Sequence, residues 1–322
     1  MDERGSDGWY LLAGVLVAAF VAALGGAALA DGWQSQARAV ADCESETFGA
    51  CLGQALLGGP LLLVGVSVAA AAVWLAQRVM GTAHPEWGTV LGTAATTGAL
   101  LLWEAGHPRW VPPPSDLAAL LAGVGVAIGV TVVAVPLPRL LRAALAVALA
   151  VPFAVYPNLS RETRRADLAD RLDRAGLPLL VSRAEGFAVK TAWANPGRRF
   201  VVVTVGRKTD PRTDGTSRDR DVTIRVVPVP ADFAPPARCG PTVAELRVPD
   251  RAPTPPLDPS CRPVGPDHWT RTEADVEVHL LRRGDALVLV QPDWNASDGD
   301  AATVAGSLTE VAPRRLADLA VD

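Results

Sequence analysis

The segment LLRAALAVALAVPFAVYPNLSRETRR, residues 140–165, contains the sharpest change in composition along the chain. Up to Tyr156-Pro157, apolar segments recur with very few charges, and beyond that point arginine and aspartate are frequent. A membrane-spanning helix needs about 20 predominantly apolar residues, whereas a soluble domain exposes a charged surface to water. The segment therefore predicts a helical membrane domain over 1–157 and a soluble domain over 158–322.

Five apolar segments before this boundary have the composition of transmembrane helices. They cover 9–30, 55–76, 87–103, 117–135 and 140–156. Trp9 and Tyr10 suit the membrane–water interface, while Pro136 and Pro138 interrupt the chain between the last two segments. We expect a helical membrane bundle of about five spans.

The first segment has a second interpretation, as a cleaved signal peptide. Ala28-Leu29-Ala30 before Asp31 matches the small-residue pattern of a signal-peptidase site. Residues 1–4 carry more acid than base, whereas a signal peptide begins with positive charge. Cleavage stays open, but both interpretations place Asp31 on the outer face, so the predicted topology downstream is the same.

The distribution of arginine predicts a cytoplasmic N-terminus, because short cytoplasmic loops carry an excess of basic residues. With that orientation, Arg4, Arg78, Arg139 and Arg142 are inside, and Arg38 and Arg109 lie in short outer loops. Arg161, Arg164 and Arg165 follow the last span on the outer side, but long domains translocate largely regardless of charge. We therefore predict a multi-pass protein of the cell membrane with an extracytoplasmic C-terminal domain.

The four cysteines fall into two pairs along the sequence, Cys43 with Cys51 and Cys239 with Cys261. Neither pair has the short C-x-x-C spacing of a zinc site. An odd number of spans places both pairs on the same side, and disulfides form in oxidising compartments. We expect two local disulfides, although four cysteines allow three pairings and the sequence leaves the choice open.

Two small-residue motifs predict faces of close helix packing. Gly88-x-x-x-Gly92 and Gly125-x-x-x-Gly129 place glycines one turn apart on the third and fourth spans. Small residues at this spacing let helix backbones approach closely in a membrane.

A stripe of polar residues, Thr89, Thr93, Thr97 and Glu104, follows one face of the third span. It has two interpretations: a polar pathway that ends at Glu104, or threonines that bond to their own helix or a neighbour with Glu104 at the interface. We find no ionisable residue near the middle of any predicted span. Such residues mark ion and proton pathways, so the sequence disfavours an ion-coupled transporter.

The second half predicts an α+β domain. A helix over 161–175 precedes a mainly antiparallel sheet of five or six strands, and a further helix closes the domain. The strands are expected at 187–193, 199–205, 221–227, 243–248, 274–280 and 287–290.

Two local patterns near the C-terminus give sharper predictions. On the strand 274–280, apolar residues alternate with Asp275, Glu277 and His279, which predicts a half-buried strand with His279 on a solvated face. Ser297 and Asp300 predict a capping box that opens a helix through Leu308. Pro313 should end that helix, leaving one short turn over 316–319.

The sequence contains no recognisable catalytic or cofactor motif. The histidines His84, His107, His268 and His279 are scattered, and neither H-E-x-x-H nor a Walker sequence occurs. The net charge of -4 comes without a basic stripe, which disfavours nucleic acid as a partner. We predict a protein that is not an enzyme, with no cofactor, no metal and no nucleic-acid partner.

The C-terminal sequence AATVAGSLTEVAPRRLADL, 301–319, follows a charged hairpin. This ending, over 273–319, resembles those of extracytoplasmic bacterial lipoprotein and sensor-type domains. The whole chain is rich in alanine, glycine, proline, valine and arginine, with lysine only at Lys190 and Lys208. It resembles uncharacterised actinobacterial multi-pass membrane proteins with an exported C-terminal domain, and this resemblance implies a location rather than a chemistry.

These features favour a binding function over catalysis. We expect a polytopic membrane protein that displays its α+β domain for partner binding or envelope sensing. Its partners would be the lipid bilayer and another membrane or envelope protein. The alternative is a component of a membrane transport system, with the tail as an outer gate or docking domain.

Overall fold

The computed structural model describes the backbone over 4–43, 48–81, 84–107, 112–134, 138–207, 221–242, 246, 260–273, 275–293 and 296–321. The side chains of 4–8, 10, 11, 36–43, 48–63, 139 and 142 lie outside the description. The chain divides into two compact units, Met1–Thr163 and Arg164–Asp322.

The first unit is helical. Its helices are α1 (Arg4–Cys43), α2 (Phe48–Val79), α3 (Pro85–Gly106), α4 (Ser115–Ala134) and α5 (Arg139–Ala175), the last of which continues into the second unit. Helix α1 packs on both α2 and α4, and α3 packs on α4. Its buried residues are small or β-branched, as at Ala18, Ala22 and Val126.

Among the described residues, three helices are long and apolar enough to cross a membrane, over Leu12–Ser35, Ser115–Ala134 and Ala143–Ala175. They overlap the predicted spans 9–30, 117–135 and 140–156. A shorter apolar stretch, Val64–Val79, is the part of α2 whose side chains are described. Helix α3 is less apolar and is not among the three. The unit therefore has the character of a membrane-associated helical domain.

The prediction of a break at Tyr156-Pro157 with a separate helix over 161–175 is wrong. Helix α5 continues through Pro152 and Pro157 and ends at Ala175, before Gly176, whose φ of 59° suits the left-handed position after a helix. Each internal proline removes one backbone hydrogen bond and costs roughly 3 kcal/mol. The flanking alanine, leucine, arginine and glutamate residues all favour helix, which explains why the helix survives both prolines.

The second unit is built on an antiparallel sheet of seven strands in the order β2-β3-β4-β8-β7-β6-β5. The strands are β2 (Phe187–Asn195), β3 (Phe200–Arg207), β4 (Asp221–Pro228), β5 (Arg262–Gly265), β6 (His268–Glu273), β7 (Val276–Arg283) and β8 (Ala286–Pro292). A separate two-stranded sheet pairs β1 (Leu180–Ser182) with β9 (Leu308–Glu310). The strands predicted at 187–193 and 199–205 are present and pair antiparallel as β2 and β3.

Apolar side chains cover both faces of the seven-stranded sheet. On one face, Val203 and Ile224 pack with Leu172 from the end of α5 and with residues of the two C-terminal helices. On the other face, Leu280 and Leu289 pack around the cysteines Cys239 and Cys261. Full burial of a side chain of this size contributes about 1.5–3 kcal/mol, so both layers stabilise the sheet.

Because both faces are covered, the prediction of a half-buried β7 is wrong. Val278 and Leu280 point into one layer, while His279 and Leu281 are buried in or beside the other. His279 is only 5% exposed, not solvated. Alternation correctly identifies which residues share a face, but it does not show whether a second layer covers the polar face.

The C-terminal end also differs from the prediction. The capping box of Ser297 and Asp300 is present and opens helix α6 (Asp298–Gly306), but Leu308 belongs to β9. Pro313 begins helix α7 (Pro313–Val321), where the missing proline N–H costs least. Apart from Leu246, the predicted strand 243–248 lies outside the described residues.

Candidate functional site

A cavity of about 230 Å³ lies inside the helical unit, between α1, α2, α3 and α4. Its lining is mainly apolar, with small residues such as Ala22, Gly26 and Ala122. The polar residues of its lining include three threonines, Thr93, Thr96 and Thr97. This cavity contains part of the polar stripe identified in the sequence and is the candidate site.

The wall formed by α3 and α4 is held together by the two predicted glycine motifs. A Cβ atom built on Gly129 would lie 2.6 Å from the carbonyl oxygen of Gly88, and one on Gly92 would lie 2.8 Å from Cα of Val126. A Cβ on Gly125 would lie 3.2 Å from the carbonyl oxygen of Gly92. The structure thus brings Gly88, Gly92, Gly125 and Gly129 into one interface where the backbones touch.

The wall formed by α1 depends on glycines that the sequence analysis missed. A Cβ on Gly26 would lie 2.8 Å from the carbonyl oxygen of Ala118 on α4, and one on Gly25 would lie 3.1 Å from Cβ of Ala69 on α2. Ala22, Gly26 and Ala30 stand four residues apart, which is the same small-residue spacing. That spacing was the signal that could have identified this face.

Helices α2 and α3 meet through a buried glutamine. Gln77 is 1% exposed, and its Nε2 donates a hydrogen bond of 3.2 Å to Oγ1 of Thr89. A Cβ on Gly88 would lie 2.5 Å from Oε1 of the same glutamine. Sequence reasoning missed Gln77, although a polar side chain at the end of the mainly apolar stretch Val64–Val79 is a visible signal.

The exposed residues of the cavity lining lie on α2 and α3, which places its opening between these two helices. Val66 of α2, which is 45% exposed, and Thr97 of α3, also exposed, both line it. By contrast, Ala118, Ala122 and Val126 of α4 are buried at its base. The opening therefore lies on the outer surface of the helical unit.

The four residues of the predicted polar stripe do not form one pathway. Thr89 contacts Gln77 and donates to the carbonyl oxygen of Pro85 at 2.9 Å, while Thr93 and Thr97 line the cavity. Glu104 accepts a hydrogen bond from the hydroxyl of Tyr156 on α5. The stripe thus divides into a contact with α2, a pair of hydroxyls in the cavity and a contact with α5.

The hydroxyls of the three threonines differ in their hydrogen bonding. Thr96 donates to the carbonyl oxygen of Gly92 at 2.9 Å, in the manner of a threonine bonded to its own helix. Within the described part of the chain, neither Thr93 nor Thr97 makes a hydrogen bond. Thr93 is partly buried and Thr97 is exposed, so both hydroxyls are accessible to a ligand.

In the second unit, the predicted disulfide between Cys239 and Cys261 is present, with 6.1 Å between the Cα atoms. Both cysteines are buried in the layer that covers one face of the sheet. The other predicted pair, Cys43 with Cys51, lies outside the described side chains.

A buried ion pair supports the segment beside this disulfide. Nε of Arg271 donates to Oε1 of Glu273 at 2.9 Å, and both residues are less than a tenth exposed. The same guanidinium donates to the carbonyl oxygens of Gly240 at 3.1 Å and Pro241 at 2.9 Å. These bonds fix the chain directly after Cys239, so we assign the pair a structural role.

The acidic residues near α6 are each engaged in separate contacts. Asp293 accepts from Oγ1 of Thr223 at 2.8 Å, and Asp298 accepts from the backbone N–H of Glu277 at 3.2 Å. Burial alone would raise the pKa of Asp300, but hydrogen bonds from Ser297 and Arg207 hold it below its usual value. Among the described residues, no group of three or more histidine, cysteine or acidic side chains could hold a metal ion.

The two histidines of the sheet form a pair that the sequence analysis did not identify. Nε2 of His268 lies 3.1 Å from Nδ1 of His279, on neighbouring strands. Burial, together with the charge of Arg283, lowers the pKa of His268. Burial, together with the charge of His268, lowers the pKa of His279. The folded domain therefore disfavours the charged form of both rings.

No protein-family model matches the chain, and no curated protein or solved structure shows significant similarity to it.

Proposed function

We propose that this chain is a five-span membrane protein that displays its α+β domain on the outer face of the membrane, for partner binding or envelope sensing. Three helices with the length and apolarity of membrane spans support the membrane location. The remaining two spans of this proposal are α2 and α3, which complete the bundle around the cavity.

The disulfide between Cys239 and Cys261 is the observation that carries the proposal. Disulfides persist in oxidising compartments and are rare in the cytosol, where thiols are kept reduced. A disulfide buried in the sheet domain thus supports an extracytoplasmic location for that domain. With five spans, the N-terminus is then cytoplasmic, in agreement with the arginine distribution.

Partner binding is supported by the surface of the edge strand β2. Trp193 on this strand is 46% exposed and packs edge-to-face with Phe200, with 5.7 Å between the ring centroids. Tryptophan is enriched among residues that dominate binding energies at interfaces. An edge strand also offers backbone groups to an extended peptide. We propose the β2 edge with Trp193 as the surface that meets an envelope protein.

The topology is tested by labelling introduced cysteines in intact cells with a membrane-impermeant maleimide. Ala302→Cys is exposed on α6 and should be labelled without lysis. Glu86→Cys, exposed in the first turn of α3, should be labelled only after lysis. The reverse pattern would exclude the proposed orientation.

The partner surface is tested by photo-crosslinking in the native membrane from position 193. We expect a defined protein adduct from this position and none from the exposed position 302 on α6. Equal labelling from both positions would exclude β2 as the binding surface.

A second candidate function, a component of a transport system, is favoured by the hydroxyls of Thr93 and Thr97 in the cavity. It predicts solute flux in proteoliposomes that is abolished when both residues are changed to valine. An absence of flux for the unmodified protein across a panel of small polar solutes would remove it.

A further inference from the structure

We propose that the cavity between α1, α2, α3 and α4 binds a prenylated quinone, whose carbonyl oxygen accepts hydrogen bonds from Thr93 and Thr97 and whose chain leaves between α2 and α3. The inference rests on the proposed membrane location and deepens the sensing function by naming the class of ligand. It follows from the size, chemistry and opening of the cavity.

The size and lining of the cavity fit an apolar molecule rather than water. Its volume of about 230 Å³ is many times the roughly 15 Å³ that one water needs. Alanine, glycine, valine and leucine form most of its wall, so water would find few hydrogen-bond partners there. The ring of Trp33 also lines the cavity and can stack on a flat ligand ring.

The polar groups of the cavity favour a ligand with a neutral hydrogen-bond acceptor. Thr93 and Thr97 stand one turn apart on the same face of α3, and their hydroxyls have no hydrogen-bond partner among the described residues. Of the described residues that line the cavity, none is charged. A carboxylate or a phosphate would enter without a counter-charge, which is very unfavourable in an apolar site. A carbonyl oxygen needs only the two hydroxyl donors.

The opening of the cavity suits a ligand with a long hydrocarbon chain. Val66 and Thr97 mark the opening between α2 and α3, and the same two helices also expose Val64, Val68 and Val90. A chain that leaves through this opening stays in contact with apolar side chains and then with lipid. The ring is thereby held inside while the prenyl chain remains in the bilayer.

Equilibrium binding of a radiolabelled naphthoquinone with a short prenyl chain to the full-length protein in lipid nanodiscs tests this proposal. We expect saturable binding to the unmodified protein. Thr93→Val with Thr97→Val conserves the shape of the wall but removes both donors, so binding should weaken about tenfold or more. Thr131→Val is the matched control, because Thr131 is exposed on α4 and donates to its own helix at Ala127.

Three results would overturn the proposal: no saturable binding, equal binding by the double valine variant, or displacement of the quinone by palmitate as effectively as by unlabelled quinone. Protein that inserts in the membrane with the expected labelling but fails to bind quinone would reject this inference alone. Protein absent from the membrane fraction would reject the proposed function itself.

Discussion

Tyr156 on α5 donates a hydrogen bond from its hydroxyl to the carboxylate of Glu104 on α3. Near this bond, a Cβ on Gly98 of α3 would lie 3.1 Å from Cβ of Pro152 on α5. Other apolar residues of α5 are exposed, with Leu140 at 86% and Val147 at 64%. Within the helical unit, the tyrosine and the proline therefore attach the largely exposed N-terminal part of α5 to α3.

Replacing Tyr156 with phenylalanine should weaken this attachment. A hydrogen bond to a charged group contributes about 1.5–3 kcal/mol, and we expect the lower end because Glu104 is only partly buried. The purified full-length protein in detergent should melt at a temperature several degrees lower. Thr163→Val is the control, since Thr163 on the same helix donates only to its own helix at Leu159. Equal melting of both variants would contradict a role for the Tyr156–Glu104 bond.

Gly129→Ala should separate α3 from α4. The new Cβ would lie 2.6 Å from the carbonyl oxygen of Gly88 and 2.8 Å from Cα of Gly92, which are backbone atoms that a rotamer change cannot move. Overpacking of this kind costs about 1–3 kcal/mol, and thermal unfolding of the full-length protein would measure it.

Gly32→Ala on α1 is the matched control for this substitution, because a Cβ there meets nothing within 4 Å. Alanine also favours helix over glycine by roughly 1 kcal/mol. We therefore expect Gly32→Ala to keep or raise the melting temperature. A loss of stability as large as that of Gly129→Ala would show that the effect does not come from the α3–α4 contact.

The fragment 158–322 should fold alone, and its stability should depend on the disulfide between Cys239 and Cys261. The two cysteines are 22 residues apart, so the bond contributes about 3 kcal/mol by restricting the unfolded chain. Urea unfolding with and without a reductant measures this difference. The fragment lacks Cys43 and Cys51, so any effect of reduction belongs to this bond. An unfolded product under oxidising conditions would contradict the expectation that the domain folds independently.

The helical part of the fold could be predicted from the sequence where a local pattern corresponds directly to geometry. Glycines four residues apart lie on one helix face, and Gly88, Gly92, Gly125 and Gly129 meet as that spacing implies. The end of α5 was predicted wrongly because the change from apolar to charged composition at Tyr156-Pro157 was taken as the end of the last span. The residues on both sides of Pro157 have high helix propensity, so the helix continues through the proline to Ala175.

Contacts between different helices or strands could not be predicted from the sequence in the same way. Gln77 and Thr89 belong to different helices, and their contact depends on how α2 crosses α3. His268 and His279 meet because of the register between β6 and β7, which no single-strand pattern specifies. The cavity depends on four helices together, so the hydroxyls of Thr93 and Thr97 could be found in the sequence while their common surroundings could not.

The histidine pair makes the stability of the sheet domain dependent on pH. Burial lowers the pKa values of His268 and His279, and the charges of Arg283 on His268 and of His268 on His279 lower them further. Glu277 opposes the shift in both residues, and Asp298 of α6 opposes it in His279. The unfolded chain therefore binds protons more readily than the folded domain as pH falls through about 6.5. The stability that depends on the neutral histidines is therefore fully present above that pH and is lost as the pH falls through their lowered pKa values.

The free energy of unfolding of fragment 158–322 should thus fall between about pH 7 and pH 5, and His268→Gln with His279→Gln should flatten this dependence. His84 and His107 are absent from the fragment, so the histidine contribution in this range belongs to the pair. Asp300 also has a lowered pKa, but its contribution to stability is lost only as pH falls through the acid range below its usual value of 3.8. Urea unfolding at a series of pH values measures both effects. A profile for the unmodified fragment as flat as that of the double glutamine variant would show that the pair does not titrate with folding.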